Sequence, residues 1–253
     1  MNHEQADRHT RTGTLDRPWS LLYRIGGIAA LLAVLVFRRN LSAELTAFHG
    51  LSLFAVPAEL PVSAAEWFVL LQADALVGLT LLGVFDGFEY VLVGMLFLAA
   101  CMALWPTRRS FALLATSCGL VGIAVFLASN QALGLLHLSA QHATATTDAQ
   151  RAAFLAAGEA LLALSEHGTG VYLGLLLVLL AGLIFSIAML RGDVFSRATA
   201  IVGILANGIG LLFFPALAFA PALYVIPPVL SAPLRLAWYT MMALRLFKLA
   251  GAG

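Results

Sequence analysis

The stretch SAAEWFVLLQADALVGLTLLGVFDG, residues 63–87, contains two features on which the interpretation of the whole chain depends. It is apolar over a length close to the ~20 residues that a helix needs to cross the hydrocarbon of a bilayer. It also carries one carboxylate, Asp74, near its middle. An ionisable group at the bilayer centre costs about 2.5–3.5 kcal/mol unless a partner satisfies it, so Asp74 is the first candidate for a functional site.

The composition of the whole chain indicates a membrane protein. Of its 253 residues, 61% are hydrophobic and 11% are charged, whereas about 25% of the residues in a soluble domain are charged. The net charge is +1 and basic residues occur in runs of at most two, which excludes nucleic acid as a partner. Cys101 and Cys118 lie inside apolar segments, so we expect two small core residues and neither a disulfide nor a metal motif.

The pattern of apolar segments predicts an all-α fold. We expect a polytopic transmembrane helical bundle of about seven spans, which forms a single domain over residues 18–250 and has the lipid bilayer as its surroundings. The predicted spans are 19–37, 66–85, 88–105, 110–129, 170–190, 198–219 and 229–248. Residues 1–17 are polar and show no periodicity, which predicts a disordered tail.

Two capping boxes mark helix starts in this pattern. In each box a hydroxyl and a side chain three residues later satisfy backbone amides, and the boxes are Ser63 with Glu66 and Thr147 with Gln150. The second box lies in the polar connector 139–168 and begins an amphipathic segment, whose apolar residues are Phe154, Leu155, Leu161 and Leu162. We expect a short amphipathic helix that lies on the membrane surface or over the bundle.

Glycines and prolines modify the later spans. The predicted fifth span opens with GVYLG, residues 170–174, a GxxxG pattern that permits close helix contact. Five prolines then fall within an uncharged stretch, 215–233, and they are Pro215, Pro221, Pro227, Pro228 and Pro233. Such a density predicts broken backbone. The break either exposes backbone groups to a ligand, as in transporters, or forms a compact apolar turn; no inverted repeat is visible.

The placement of basic residues favours an orientation with the N-terminus outside and the C-terminus in the cytoplasm. With seven spans the inner side receives Arg38, Arg39, Arg108, Arg109, Arg191, Arg197, Arg245 and Lys248. The outer side receives Arg8, Arg11, Arg17 and Arg151. The basic residues of the N-terminal tail are the exception to the rule in this arrangement.

Four stretches of the chain resemble a family of bacterial multi-pass membrane proteins catalogued only as a domain of unknown function. They are RIGGIAALLAVL at 24–35, QADALVGL around Asp74, ATATTDAQRAAFLAAGEALLAL at 143–164 and APLRLAWYTMMALRLFK at 232–248. Arg235 departs from the acidic or neutral residue expected there. The resemblance implies a multi-span helical protein of the bacterial cytoplasmic membrane, and it brings no known activity, cofactor or catalytic residue.

A few polar groups inside the predicted spans form the candidate site. Counting about 1.5 Å per residue from the inner edge puts Asp74 and Asn207 near the same level at the midplane. Arg24 and Arg235 lie nearer the outer edge, where Asp86 and Glu89 are the expected partners. The candidate ligand-binding residues are Asp74, Asn207, Arg235 and Glu89. The alternative is a buried polar network that only fixes the register of the helices.

Metal and cofactor chemistry find little support in the sequence. His137, His142 and His167 are weak metal candidates, together with Glu159 and Glu166, because no HExxH or other fixed ligand spacing occurs. We expect no cofactor.

The leading hypothesis is a protein that binds or transports a small ligand or ion. The alternative is a non-catalytic membrane subunit or scaffold that contacts protein or lipid partners, and a membrane-embedded enzyme is less favoured.

Overall fold

The computed structural model describes residues 19–49 and 60–251, with side-chain environments for all of these except 38–49, 166 and 167. The described residues form helices and connecting turns, which confirms the all-α prediction for this part of the chain. The helices are α1 Ser20–His49, α2 Ala64–Ala73, α3 Ala75–Leu81, α4 Val84–Ser129, α5 Ala132–Thr144, α6 Asp148–His167, α7 Thr169–Leu190, α8 Arg197–Leu211, α9 Phe213–Phe219 and α10 Ile226–Gly251. The predicted tail, 1–17, lies outside the described residues.

Four helical segments within the described residues are long and apolar enough to cross a membrane. They are Ser20–Phe37, Val84–Thr144, Asp148–Leu190 and Arg197–Phe219. Helices of this length and composition are consistent with the predicted membrane protein, whereas the predicted number of seven spans is not confirmed.

Contacts divide the chain into two compact units. The first, called here the long-helix unit, has 19–34, 91–121 and 176–251 as its described residues. The second, the short-helix unit, has 35–49, 60–90 and 122–175.

In the long-helix unit, α4 reverses its direction at Arg108. This residue has non-helical dihedrals, φ −140° and ψ 44°, and it follows Pro106. A Cβ on Gly119 would lie 2.5 Å from Cδ2 of Phe97, although 22 residues of continuous helix would separate these positions by about 33 Å. The two arms of α4 are therefore antiparallel, as the predicted spans 88–105 and 110–129 require.

Helix α1 packs through small residues and presents large ones outward. Its buried side chains include Ala29, Ala30 and Ala33, whereas Ile28 and Leu35 are exposed. A Cβ on Gly27 would lie 2.8 Å from Cε1 of Phe247, near the end of α10. Small residues inside and large apolar residues outside are typical of helices that pack within lipid.

The short-helix unit is organised around α2, α5 and α6. Its core consists of Ala64, Trp67, Phe68, Leu71, Leu135 and Leu162. Both capping boxes begin helices as predicted, because Ser63 Oγ accepts from Glu66 N and Thr147 Oγ1 accepts from Gln150 N. The amphipathic helix α6 has 20 residues and packs against α2 and α5, so its apolar face is covered by protein at Leu162.

The predicted second span, 66–85, differs most from the structure. The chain breaks at Asp74, whose φ of −149° and ψ of 92° end α2 and precede α3. A Cβ on Gly78 would lie 3.5 Å from Cα of Leu71, a separation that would be about 10 Å along a continuous helix. This part of the chain is thus two short helices of 10 and 7 residues that contact each other.

The GxxxG pattern and the proline-rich stretch both act on local packing. A Cβ on Gly174 would lie 2.8 Å from the carbonyl oxygen of Gly122, so the predicted close helix contact is confirmed. Helical structure is interrupted at Leu212, at Ala220 and at residues 224–225, as expected, but α10 continues through Pro233, where a break was also predicted. Pro227 and Pro228 instead lie in the first turn of α10, where a missing amide hydrogen costs no helical hydrogen bond.

Candidate functional site

Asp74 acts as a helix cap in the structure. Its Oδ1 accepts a hydrogen bond from Val77 N at 3.0 Å, and its side chain is exposed. Aspartate is among the preferred N-cap residues because its carboxylate satisfies a first-turn amide that has no helical partner. The prediction of an Asp74 carboxylate inside a continuous span is therefore replaced by a carboxylate at a helix break.

Asn207 is buried in α8, with 4% of its surface exposed. Its Nδ2 donates to Gly203 O of the same helix at 2.8 Å. A Cβ on Gly182 of α7 would lie 2.3 Å from Asn207 Oδ1, so the amide occupies the space that a side chain at position 182 would need. The Asn207 amide, predicted as a polar group inside an apolar helix, is thus packed tightly between α7 and α8.

Arg235 lies one helical turn from Asn207 on the interface between α8 and α10. Its Nη2 would be 3.4 Å from a Cβ on Gly210, and Gly210 follows Asn207 by three residues. The side chain of Arg235 is half-buried. The structure thus places two of the four predicted site residues in the long-helix unit, at the level of neighbouring turns of α8.

Two further residues of this interface are missing from the predicted site. Trp238 is 1% exposed, and its Nε1 has no hydrogen-bond partner. Ser186 is fully buried and donates to Gly182 O at 2.7 Å. A Cβ on Gly203 would lie 2.2 Å from Ser186 Oγ and 2.4 Å from Trp238 Nε1. The sequence signal for them is the helical recurrence of small residues, which indicates a contact face without naming its partners.

Glu89 is buried in the first arm of α4, with 7% of its surface exposed. It belongs to the short-helix unit with Asp74, whereas Asn207 and Arg235 belong to the long-helix unit. The pairing of Asp74 with Asn207, and of the two arginines with Asp86 and Glu89, stays a prediction.

The histidine candidates have other neighbours. His137 Nε2 lies 2.9 Å from Gln141 Nε2, and the His142 ring lies 5.4 Å from the Phe68 ring. The side chain of His167 lies outside the described ones. Among the described residues no group of three or more metal-ligand side chains occurs. Glu159, considered with the histidines, accepts from Ala64 N at 2.8 Å and so caps α2 from α6.

Polar side chains also join the short helices to one another. Ser139 is 1% exposed; it donates to Phe68 O at 3.2 Å, and Gln72 Nε2 donates to Ser139 O at 3.0 Å. Asn130 Nδ2 donates to Gly83 O at 3.2 Å. These residues hold the ends of α2, α3 and α5, and nothing in the local sequence pattern singles them out.

One end of the long-helix unit is strongly basic. The described residues of the unit include a single acidic residue, Asp193, and the basic residues Arg24, Arg108, Arg109, Arg191, Arg197, Arg235, Arg245 and Lys248. Arg108 Nη2 donates to Arg191 O at 3.0 Å, and Arg245 Nε donates to Val194 O. The turn between α7 and α8 is therefore held by arginines from α4 and α10.

A cleft opens beside this turn. It has a volume of about 430 Å³ and is lined by the turn, the start of α8 and the last turns of α10, including Asp193, Ser196, Arg245 and Lys248. In the short-helix unit a second cleft of about 590 Å³ borders α2, and its lining is apolar apart from Glu66. Glu66 already accepts from Val62 N at 2.8 Å. Of these two clefts, the basic one is lined by several charged side chains.

Comparison with known proteins adds no relative. No family model, curated protein or solved structure matches the chain.

Proposed function

We propose that the chain is a non-catalytic integral membrane protein, a subunit or scaffold that contacts lipid or protein partners. This proposal rests on one observation, which is that buried polar groups of the long-helix unit form hydrogen bonds within their own helices. Thr116, Ser186 and Asn207 each donate to a carbonyl of their own helix, four residues back. Glycines fill the remaining space beside Asn207 and Ser186, so these groups serve close helix packing.

The distribution of apolar side chains supports lipid as the surrounding solvent. In α8 the large residues Ile201 and Leu205 are 51% and 46% exposed, whereas Ala200 and Ala206 are fully buried. A water-soluble domain buries its large apolar residues, because each buried Leu or Ile contributes about 1.5–3 kcal/mol. The opposite arrangement here favours the membrane placement inferred from the sequence.

We propose six membrane crossings instead of seven. Helices α2 and α3 are about 15 Å and 10 Å long at 1.5 Å per residue, too short to cross about 30 Å of hydrocarbon. The contact of Gly27 with Phe247 supports a start of α1 at the same end as the last turns of α10. An even number of crossings follows. Six crossings place Arg108, Arg191 and Arg245 on the same side of the membrane. The positive-inside rule assigns that side to the cytoplasm of a bacterial cell.

Cysteine accessibility tests this topology. A membrane-impermeant maleimide should label an R191C variant in inside-out vesicles and a T146C variant in intact cells. The chain's own cysteines lie within α4, where Cys101 is buried and Cys118 is partly buried; a C101A/C118A background removes any labelling by them. Labelling of both variants from the same side would contradict six crossings.

The test of the scaffold role uses N207A. If the amide only packs helices, the variant should have a lower melting temperature in detergent. Its native mass spectrum should show the same bound species as that of the unaltered protein. Loss of a reproducible small-molecule mass with an unchanged melting temperature would instead establish a ligand site.

The resemblance to the uncharacterised multi-pass family stays a prediction, which a solved structure of any member would test.

A second candidate function has one observation in its favour. The indole Nε1 of Trp238 is buried without an acceptor, and such a group costs about 1–3 kcal/mol unless something accepts its proton. A small ligand with an acceptor atom beside Trp238 Nε1 would satisfy it. W238F removes the donor and keeps most of the ring, so a ligand held there should be lost while the fold persists.

A further inference from the structure

We infer that the basic cleft of the long-helix unit binds a phosphate group, as carried by the headgroup of an anionic phospholipid. The inference rests on the proposed function, because it names the lipid chemistry that the protein would contact. The cleft volume of about 430 Å³ lies within the range of small-molecule sites. The inference rests on two cationic side chains, Arg245 and Lys248, that line the same cleft.

Arg245 is held in a defined position. Its side chain is half-buried, and its Nε donates to the backbone carbonyl of Val194, which also lines the cleft. A guanidinium anchored through Nε keeps its two Nη groups for a second partner, and paired N–H donors match the oxygens of a phosphate. Neither Arg245 nor Lys248 takes part in an ion pair in the described part of the chain.

The surroundings add positive potential to the cleft. The lining includes Ser196 and Thr199 at the start of α8, the positive end of a helix of 15 residues. Asp193 is the single acidic side chain of the lining, and it is exposed. Its carboxylate suits the hydroxyl groups of a glycerol headgroup, whereas the two cations suit the phosphodiester.

The level of the cleft along the helices fits a lipid headgroup. It lies where α7 ends, α8 begins and α10 ends, and the first two of these positions are boundaries of apolar helix segments. At the same end Arg109 lies 4.3 Å above the Trp105 ring, and tryptophan is enriched at membrane interfaces. Basic pockets between helices at the cytoplasmic interface are suited to anionic headgroups.

The test is native mass spectrometry of the purified full chain, titrated in mild detergent with dioleoyl phosphatidylglycerol or with dioleoyl phosphatidylcholine. Phosphatidylglycerol should bind more tightly. R245Q and K248Q should each weaken its binding about fivefold, the effect of one basic residue at an anionic surface. R109Q is the matched control, because Arg109 is exposed at the same end and does not line the cleft.

Competition with inorganic phosphate distinguishes the two sources of the phosphate group. Displacement of phosphatidylglycerol by millimolar phosphate would show that the cleft takes the free anion, whereas no displacement would show that it requires the lipid. Either result supports a phosphate site. If R245Q does not fold, K248Q carries the test, since Lys248 is exposed and makes no described hydrogen bond.

Two results would overturn the inference. Equal binding of the two lipids would mean that the protein does not recognise an anionic headgroup. An effect of R109Q as large as that of K248Q would mean that general surface charge is sufficient and that the cleft is not a site. These results would leave the proposed function in place. Absence of any bound lipid or protein partner on the folded protein would instead count against the proposed function itself.

Discussion

The buried hydroxyl and amide groups of the long-helix unit bond differently from two polar side chains of the short-helix unit. In the long-helix unit the buried Thr116, Ser186 and Asn207 bond within their own helices. In the short-helix unit Glu159 and Ser139 bond to backbone groups of a different helix. The cause is helix length, because each helix end leaves four unsatisfied backbone groups and short helices consist largely of ends. Long apolar helices satisfy their own backbone and need only close contact.

The largest expected effect comes from filling a glycine contact of the long-helix unit. G203A places a Cβ within 2.4 Å of two buried polar atoms, and overpacking of this kind costs about 1–3 kcal/mol. The measurement is the free energy of unfolding in a fixed detergent. G208A is the matched control in the same helix, because no atom lies within 4 Å of its Cβ. It should stabilise the helix by about 0.5–1 kcal/mol, and equal effects would contradict the assigned packing.

The next effect concerns the cap that α6 supplies to α2. E159A removes the acceptor of Ala64 N, so we expect a loss of about 1–2 kcal/mol in stability. Hydrogen exchange at the Ala64 amide should become faster, whereas E159Q keeps an acceptor oxygen and should show a smaller change. Unchanged exchange in E159A would mean that this hydrogen bond contributes nothing.

A pair of variants compares bonding between helices with bonding within one helix. S139A removes the links from Ser139 Oγ to α2 and should cost about 1 kcal/mol. T116V removes a hydroxyl that bonds only to the carbonyl of Ala112. That carbonyl also serves the helical ladder, so a change near zero is expected. Equal losses in thermal denaturation would remove the distinction between the units.

The smallest destabilisation is expected for the D74N variant. Asparagine caps a helix about as well as aspartate, so D74N should change stability by a few tenths of a kcal/mol at most, whereas D74A should cost about 0.5–2 kcal/mol. Unfolding of both variants in detergent provides the measurement. A large change in D74N would instead restore the Asp74 charge as an intramembrane functional group.

Much of the fold could be predicted because its signals are local. Hydropathy located the ends of α1, of α7, of α10 and of α8 and α9 taken together to within three residues, apart from the extension of α1 to His49. The hydroxyls at Ser63 and Thr147 bond three residues ahead, a distance that a sequence pattern captures. The candidate site was less predictable. Asn207 and Arg235 could be selected as polar groups in apolar helices, but the contacts of Ser186 and Trp238 depend on helix packing.

The apolar composition and the capping boxes specified, from the amino-acid sequence alone, helices that are long and apolar enough to cross a membrane. The tertiary structure was needed for the break at Asp74, the reversal at Arg108 and the cap of α2 by Glu159, 95 residues away. The physical reason is the range of the interactions. Hydropathy and capping act within a few residues, whereas a break or a buried hydrogen bond is stable only when distant segments supply its partners.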